Sequence, residues 1–164
     1  MSLKRYLKKR DFSKTNEPKP KIKTKGKIFV IQKHFARTLH YDFRIQIGNS
    51  LRSWAVPKNI PKSTKVRRLA ILTENHPLEY ASFAKTIPKG EYGAGKVEIY
   101  DRGIFYNIKK DEHGKTIPLE KSFKMGSIEV FLKSKKIDAA YAIIRFKDKK
   151  NWLIVKMKKR NYEI

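Results

Sequence analysis

From His40 to Ile47 the chain alternates without a break: His40, Asp42, Arg44 and Gln46 share one parity, and Tyr41, Phe43, Ile45 and Ile47 the other. A period of two predicts a strand whose apolar face fills a core while His, Asp and Arg project together from the opposite face. Residues 27–33 predict a strand that delivers His34 at its end. Gly48-Asn49-Ser50 reads as a turn into a return strand over 51–56. Pro57 and Pro61 bracket a loop that carries Lys58, and 68–73 is a largely apolar strand closed by Glu74-Asn75-His76-Pro77. The stretch 87–95 is turn-rich. Residues 96–101 and 103–108 predict a hairpin through Arg102-Gly103, and 109–121 a polar surface loop. Segments 127–132, 139–146 and 152–157 complete the strands, with a turn at 148–151 between the last two. Helical spacing occurs only over residues 3–10, where Leu3, Tyr6 and Leu7 share a face. Residues 11–27, rich in Lys, Pro, Ser, Thr and Asn, read on composition as a flexible basic arm.

The pattern predicts a mainly β fold of about eight short antiparallel strands, a barrel or a sandwich. A short N-terminal helix and basic arm (1–27) precede the β domain (28–164). At 164 residues one domain is expected, burying about 70% of its unfolded surface. There is no cysteine, which removes disulfides, thiolate catalysis and Cys-based zinc sites. No run of about 18 apolar residues or signal-like apolar stretch is visible, so the expectation is a soluble, cytoplasmic protein with no membrane partner.

Charge changes the picture more. Forty Lys and Arg face 15 Asp and Glu, a net +25, and such self-repulsion is relieved by a polyanion. Nucleic acid is the favoured partner over an anionic membrane surface, because no long amphipathic helix is present. The Lys runs at 8–10, 19–27 and 156–160 read as solvated faces that attract phosphates without reading bases.

Three of the four histidines sit at strand ends or beside a carboxylate. His40 and Asp42 are two apart on one strand face with His34 just upstream, a set suited to Mn, Fe, Zn or Co. Arg44, two residues on, can grip a phosphate beside such a metal. His76 ends another strand next to Glu74. His113, in Asp111-Glu112-His113-Gly114, reads as a surface residue, and Gly90-Glu91-Tyr92-Gly93-Ala94-Gly95 as backbone geometry, since no helix follows it. On these residues alone, two other readings stand beside a phosphoesterase: a non-haem iron oxygenase with His40, Asp42 and His76 as its triad, and a non-catalytic nucleic-acid-binding module.

Taken together, Gln32-Lys33-His34, Leu39-His40-Tyr41-Asp42-Phe43-Arg44, Ser53-Trp54-Ala55-Val56-Pro57-Lys58, Glu74-Asn75-His76-Pro77-Leu78-Glu79-Tyr80 and Ile87-Pro88-Lys89-Gly90-Glu91-Tyr92-Gly93 resemble one family. It is the 3′-phosphoesterase domain at the N-terminus of bacterial DNA ligase D, also found free-standing in bacteria and archaea. The resemblance runs from Arg10-Asp11-Phe12 to the last strand, and a stand-alone version is expected. It implies a compact β-barrel enzyme that heals 3′ ends of DNA or RNA–DNA primer-templates during end joining. A phosphodiesterase step removes a terminal ribonucleotide, and a phosphomonoesterase step then removes the 3′-phosphate, with Mn²⁺, or with Co²⁺ or Zn²⁺. Ku-like and ligase or polymerase partners and a monomeric state go with that reading. By resemblance, His34, His40 and Asp42 are metal ligands, while Arg44 and His76 hold the scissile phosphate. Tyr80, Glu74, Arg10 and Asp11 complete the implied catalytic set, and Lys58, Arg68, Arg10 and Glu17 bind substrate. The resemblance thus sets Arg10, Asp11 and Glu17 of the arm at the site, against the compositional reading of a free tail. Phe35 and Asn75 stand where the family often carries Asp.

Overall fold

The computed structural model describes residues 3–18 and 27–158. After α1 (Lys4–Lys8) come β1 (Ile28–Phe35), β2 (Leu39–Ile47), β3 (Ser50–Val56), β4 (Arg67–Leu72) and a two-residue β5 (His76–Pro77). A 3₁₀ turn (Leu78–Ser82) and β6 (Thr86–Ile87) lead to the long β7 (Gly95–Asn107). Helix α2 (Leu119–Met125), β8 (Ser127–Ser134), β9 (Asp138–Arg145) and β10 (Asn151–Lys156) follow. Eight strands close an antiparallel barrel in the order β1-β2-β3-β4-β10-β9-β8-β7, and β7 returns to pair with β1. β5 pairs with β3 and β6 with β7.

The alternation along β2 works as the pattern requires. Phe43, Ile45 and Ile47 enter the barrel core with Phe29, Ile31, Trp54, Val56, Phe105 and Trp152, while Asp42 and Arg44 point outward. The outer face is not left to water. A second apolar cluster of Tyr6, Val30, Leu51, Leu78, Tyr80, Phe83, Ile87 and Val97 covers it. β1 is therefore buried on both faces, which explains its near-continuous apolar start, Ile28 to Ile31. The candidate site lies between the barrel wall and this outer cover.

Three local expectations are corrected, and one short element had no expectation attached to it. β7 runs unbroken from Gly95 to Asn107 rather than forming a hairpin through Arg102-Gly103. Gly103 is there because a Cβ at that position would meet Lys133 O at 2.2 Å, so the glycine serves close strand approach and not a turn. The loop expected over 109–121 ends in α2, which packs the half-buried Leu119 and Phe123 against the barrel core. It stops at Gly126, whose φ of 80° suits glycine at a helix C-terminus. The segment 78–82 is a 3₁₀ turn with no periodic signal in so short a run. Finally, residues 11–18 are no loose arm, because Thr15 and Glu17 are buried. The part of the basic arm from 19 to 26, and the Lys run beyond 158, lie outside the described residues.

Candidate metal and phosphate site

β1 and β2 lie side by side with His34 opposite His40 and Gln32 opposite Asp42, so adjacent outward positions on two paired strands bring the groups together. Backbone carbonyls then decide which nitrogen of each ring is free. His34 Nε2 donates to Gly93 O at 2.7 Å, which leaves Nδ1 as the lone pair facing Asp42 Oδ2 at 3.5 Å. His40 Nδ1 donates to Thr38 O at 3.2 Å, which turns Nε2 toward Asp42 Oδ1, also 3.2 Å away. One ligand atom from each of His34, His40 and Asp42 falls within 4.8 Å of the other two. Two imidazole lone pairs with their N–H groups committed elsewhere, plus one carboxylate, are a donor set that fits a divalent ion.

Burial raises the cost of the Asp42 charge, yet the Arg44 guanidinium and the His34 and His40 rings outweigh it and hold the carboxyl well below the usual range. Burial likewise opposes charge on His40, but Asp42 prevails and raises it. Arg44 NH2 is 3.4 Å from Asp42 Oδ2. Its Nε donates to Gln32 Oε1 at 2.6 Å, and its plane lies over the Tyr80 ring. Gln32 is itself locked by donating to Tyr80 O and Phe83 O.

The opposite wall is built by the N-terminal segment. Arg10 Nε bonds Glu17 Oε2 at 2.9 Å and its NH1 bonds Glu74 Oε1 at 2.7 Å. Lys9 Nζ reaches Glu74 Oε2 at 2.7 Å, and Tyr80 OH donates to Glu17 Oε2 at 2.8 Å. His76 sits between the two guanidiniums. Its Nδ1 donates to Glu74 O at 3.0 Å, and Arg10 NH2 faces its Nε2 at 3.3 Å. Burial first, then the Arg44 and Arg10 charges, push its pKa well below the ordinary imidazole value, so His76 is neutral. Burial also drives the Tyr80 hydroxyl well above its usual range, keeping it a donor to Glu17.

One cavity of about 290 Å³ is lined by Arg10, Glu17, His34, His40, Asp42, Arg44, Glu74, His76 and Tyr80, all of them sequence-derived candidates. Three are elsewhere. Asp11 is exposed, where it caps Ser13 and pairs loosely with Lys14. Lys58 and Arg68 meet each other, Arg68 NH1 donating to Lys58 O at 2.8 Å, at the rim of a neighbouring hollow. His76 shares no ligand group with His40 and Asp42, so the iron triad drawn from those three is not assembled. Sequence reasoning passed over Gln32, because a single polar residue inside an apolar strand carries no periodic signal. It also passed over Tyr6, whose ring packs on Arg10 and His76. The Gly90–Gly95 stretch is indeed backbone geometry, but its Gly93 carbonyl fixes the His34 ring.

The eight-stranded barrel carries a His–His–Asp group that could hold a metal ion, beside two guanidiniums. Residues 32–145 match the family model described as the DNA ligase D 3′-phosphoesterase domain, and the chain belongs to that family. It is 46% identical over 159 residues to the multifunctional non-homologous end joining DNA repair protein LigD of Mycobacterium tuberculosis, covering 95% of this chain and 20% of that protein. It is 44% identical over 166 residues to the LigD of Mycolicibacterium smegmatis, covering 93% of this chain and 20% of the other. With the LigD of Pseudomonas aeruginosa it shares 39% identity over 160 residues, 93% of this chain and 18% of that one. The chain thus spans about one fifth of the length of these curated relatives.

Proposed function

We propose that this protein is a divalent-metal-dependent hydrolase of DNA 3′ ends. It would remove a terminal ribonucleotide as a phosphodiesterase and then the exposed 3′-phosphate as a phosphomonoesterase, in repair by end joining. The observation that carries this reading is the charge arrangement of the cavity beside β2. Arg10 and Arg44 on the cavity wall, together with Lys9 paired to Glu74 from outside the lining, balance Asp42, Glu17 and Glu74, and His76 is neutral. Addition of a divalent ion leaves the cavity at about +2, the complement of a phosphate monoester that carries about −1.5 to −2 at neutral pH.

His34, His40 and Asp42 would hold the ion, with Mn²⁺ as the expected metal and Co²⁺ or Zn²⁺ as substitutes. Such an ion acts as a Lewis acid on a phosphoryl oxygen. Arg44 is pre-aimed by Gln32 and offers its outer nitrogens to the phosphate, in place before charge develops. Arg10 is fixed by Glu17 and Glu74 and closes the cavity from the other side. Neutral His76 is a poor proton donor, because its imidazolium is scarce at neutral pH; with its Nδ1–H given to Glu74 O, its Nε2 lone pair orients the Arg10 guanidinium beside the phosphate. In the diesterase step water oxygen bonds to phosphorus, the bond to the terminal nucleoside oxygen breaks, and that oxygen takes up a proton. In the second step water oxygen bonds to phosphorus, the bond to the 3′ oxygen breaks, that oxygen takes up a proton to become the 3′-hydroxyl, and inorganic phosphate leaves. Tyr80 and Glu74 act through Arg10, Glu17 and His76, while Lys58 and Arg68 lie on the rim along which substrate would extend. Asp11 has no contact that supports a catalytic part. The names of the relatives support an end-joining context; Ku-like and ligase or polymerase partners and a monomeric enzyme are part of the same proposal.

The test uses a 5′-labelled primer ending in one ribonucleotide, annealed to a longer template, with Mn²⁺ and with or without EDTA, resolved on a denaturing gel. Chelator-sensitive shortening to a 3′-phosphate and then a 3′-hydroxyl is expected. Salt-sensitive binding of the same duplex without shortening would make the protein a binding module.

A further inference from the structure

The two ends of the barrel are finished differently. At one end α2 acts as a plug: Phe123 stacks on Trp152, ring centroids 5.3 Å apart, and meets Trp54 edge-on. At the other end β2 begins, β3 and β10 finish, and residues 135–137 join β8 to β9. The β3–β4 loop folds across part of this end, with Ile60 buried and Pro61 O accepting from Tyr141 OH at 2.9 Å. Two hollows remain, of about 440 and 530 Å³, and they share Asn59, Ile60, Lys62 and Tyr100.

Five cations surround this mouth: Lys58, Lys62, Arg68, Lys136 and Lys156. Three of them are fixed by backbone carbonyls of the mouth itself. Arg68 bonds Lys58 O, Lys156 Nζ bonds Lys62 O at 3.2 Å, and Lys136 Nζ bonds Tyr100 O at 2.9 Å while lying over the Tyr100 ring. Among the described residues Asp138 is the one carboxylate lining either hollow. A fixed cluster of like charge without acidic partners favours a polyanion. The floor is aromatic, with Tyr41 and Tyr100 edge to face at 5.6 Å. Cations around a ring-lined hollow suit unpaired nucleotides, whose phosphates and bases are both accessible, better than a stacked duplex.

The mouth also adjoins the metal site. Tyr41 follows His40 directly on β2, so one residue faces the ligand group and the next faces the mouth. Lys58 is three residues beyond Ala55, which lines the site cavity, a reach of at most about 11 Å. We propose that this basic mouth, through Lys62, Lys136 and Lys156, binds a single-stranded stretch of nucleic acid next to the 3′ end in the cavity, namely the unpaired template extension opposite a recessed terminus. The register rests on the 3′-end reading above; the affinity for single strands does not.

The test is binding without chemistry, by fluorescence anisotropy in EDTA between 50 and 200 mM salt. Its probes are a primer-template that ends in 3′-hydroxyl with a 5′ template extension, and the blunt duplex. For the triple variant Lys62→Ala/Lys136→Ala/Lys156→Ala, the slope of log affinity against log salt on the extended probe should shrink by about 2, at roughly 0.7 per single-strand phosphate contact. The blunt-duplex slope should be unchanged. A variant of equal charge, Lys110→Ala/Lys115→Ala/Lys121→Ala, changes exposed residues at the opposite end and should leave both slopes alone. If the triple does not fold, Lys62→Ala/Lys136→Ala should lower the slope by about 1.4. Equal slopes for the two triples, or equal loss on both probes, would overturn the proposal. Because the probe is already healed and metal is absent, a failure of the phosphoesterase reading would appear only in the trimming gel.

Discussion

Replacing Arg10 with methionine isolates the claim that the N-terminal segment is part of the folded site. The Arg10 side chain is 4% exposed, and its partners Glu17 and Glu74 are 0% and 2% exposed. Arg10→Met keeps the aliphatic stem but leaves Glu17 with two neutral donors, Tyr80 OH and Thr15 Oγ1. Glu74 retains Lys9. Removing one partner of a buried pair costs about 3–5 kcal/mol, because the surviving charge stays desolvated. Since Lys9 still compensates one of the two carboxylates, the loss belongs at the low end, about 3 kcal/mol. With m near 1–3 kcal/mol/M in urea, the unfolding midpoint of metal-free protein should fall by about 1–3 M. Adding Glu17→Gln should restore about 1–2 kcal/mol, within the coupling range of touching residues. A midpoint shift worth less than about 0.5 kcal/mol, the size of a surface substitution, would refute the reasoning and detach residues 3–18 from the cooperative unit.

Asp42→Asn removes the only carboxylate of the ligand group, so Mn²⁺ affinity, read from the EPR signal of free ion, should drop more than about 100-fold; Arg44→Met should retain it, and equal affinities in both would move the metal elsewhere. Gln32→Leu deletes the side chain that aims Arg44 and should lower kcat for primer trimming about 10–100-fold at unchanged metal affinity; unchanged kcat would remove its positioning role. His76 supplies a pH signature in metal-free protein. Its folded pKa is depressed by burial and by the Arg44 and Arg10 charges, so its stabilisation is present above the unfolded value near 6.5 and is lost as pH falls through the folded value. The stability of wild type minus that of His76→Gln should therefore decrease from pH 7 to 5, with a slope of at most about 1.4 kcal/mol per pH unit. His40 is shifted the opposite way but is common to both proteins and cancels. A flat difference would mean that the ring is hydrated.

How much of this was legible follows from where each signal lives. Alternation from His40 to Ile47 is local, and it correctly separated the core face of β2 from its outward polar face. The closure of the barrel through β7 and β1 is not local, and nothing in Gly103 distinguishes a glycine that admits a neighbouring strand from one that turns the chain. Helix α2 shows only Leu119 and Phe123 to the core, too few for a visible period in seven residues. The arm was misjudged on composition because its buried groups are polar: Glu17 is satisfied by Tyr80, 63 residues away, and Arg10 by Glu74, 64 away. Only motif resemblance carried that long-range pairing, and it also carried Asp11, which the fold leaves exposed, and Lys58 and Arg68, which it sets on the adjoining rim. The hydrogen bonds from His34 and His40 to backbone carbonyls leave no trace in residue identity.

The central claim, that hydrolysis takes place in the cavity between β2 and the N-terminal segment, is tested most directly by trimming of the ribonucleotide-ended primer by wild type, Asp42→Asn and Arg44→Met side by side in Mn²⁺. Trimming by wild type, with none by either variant even though Arg44→Met still binds the ion, is the predicted result. Metal-dependent trimming by both variants at the wild-type rate would place the chemistry elsewhere on the protein.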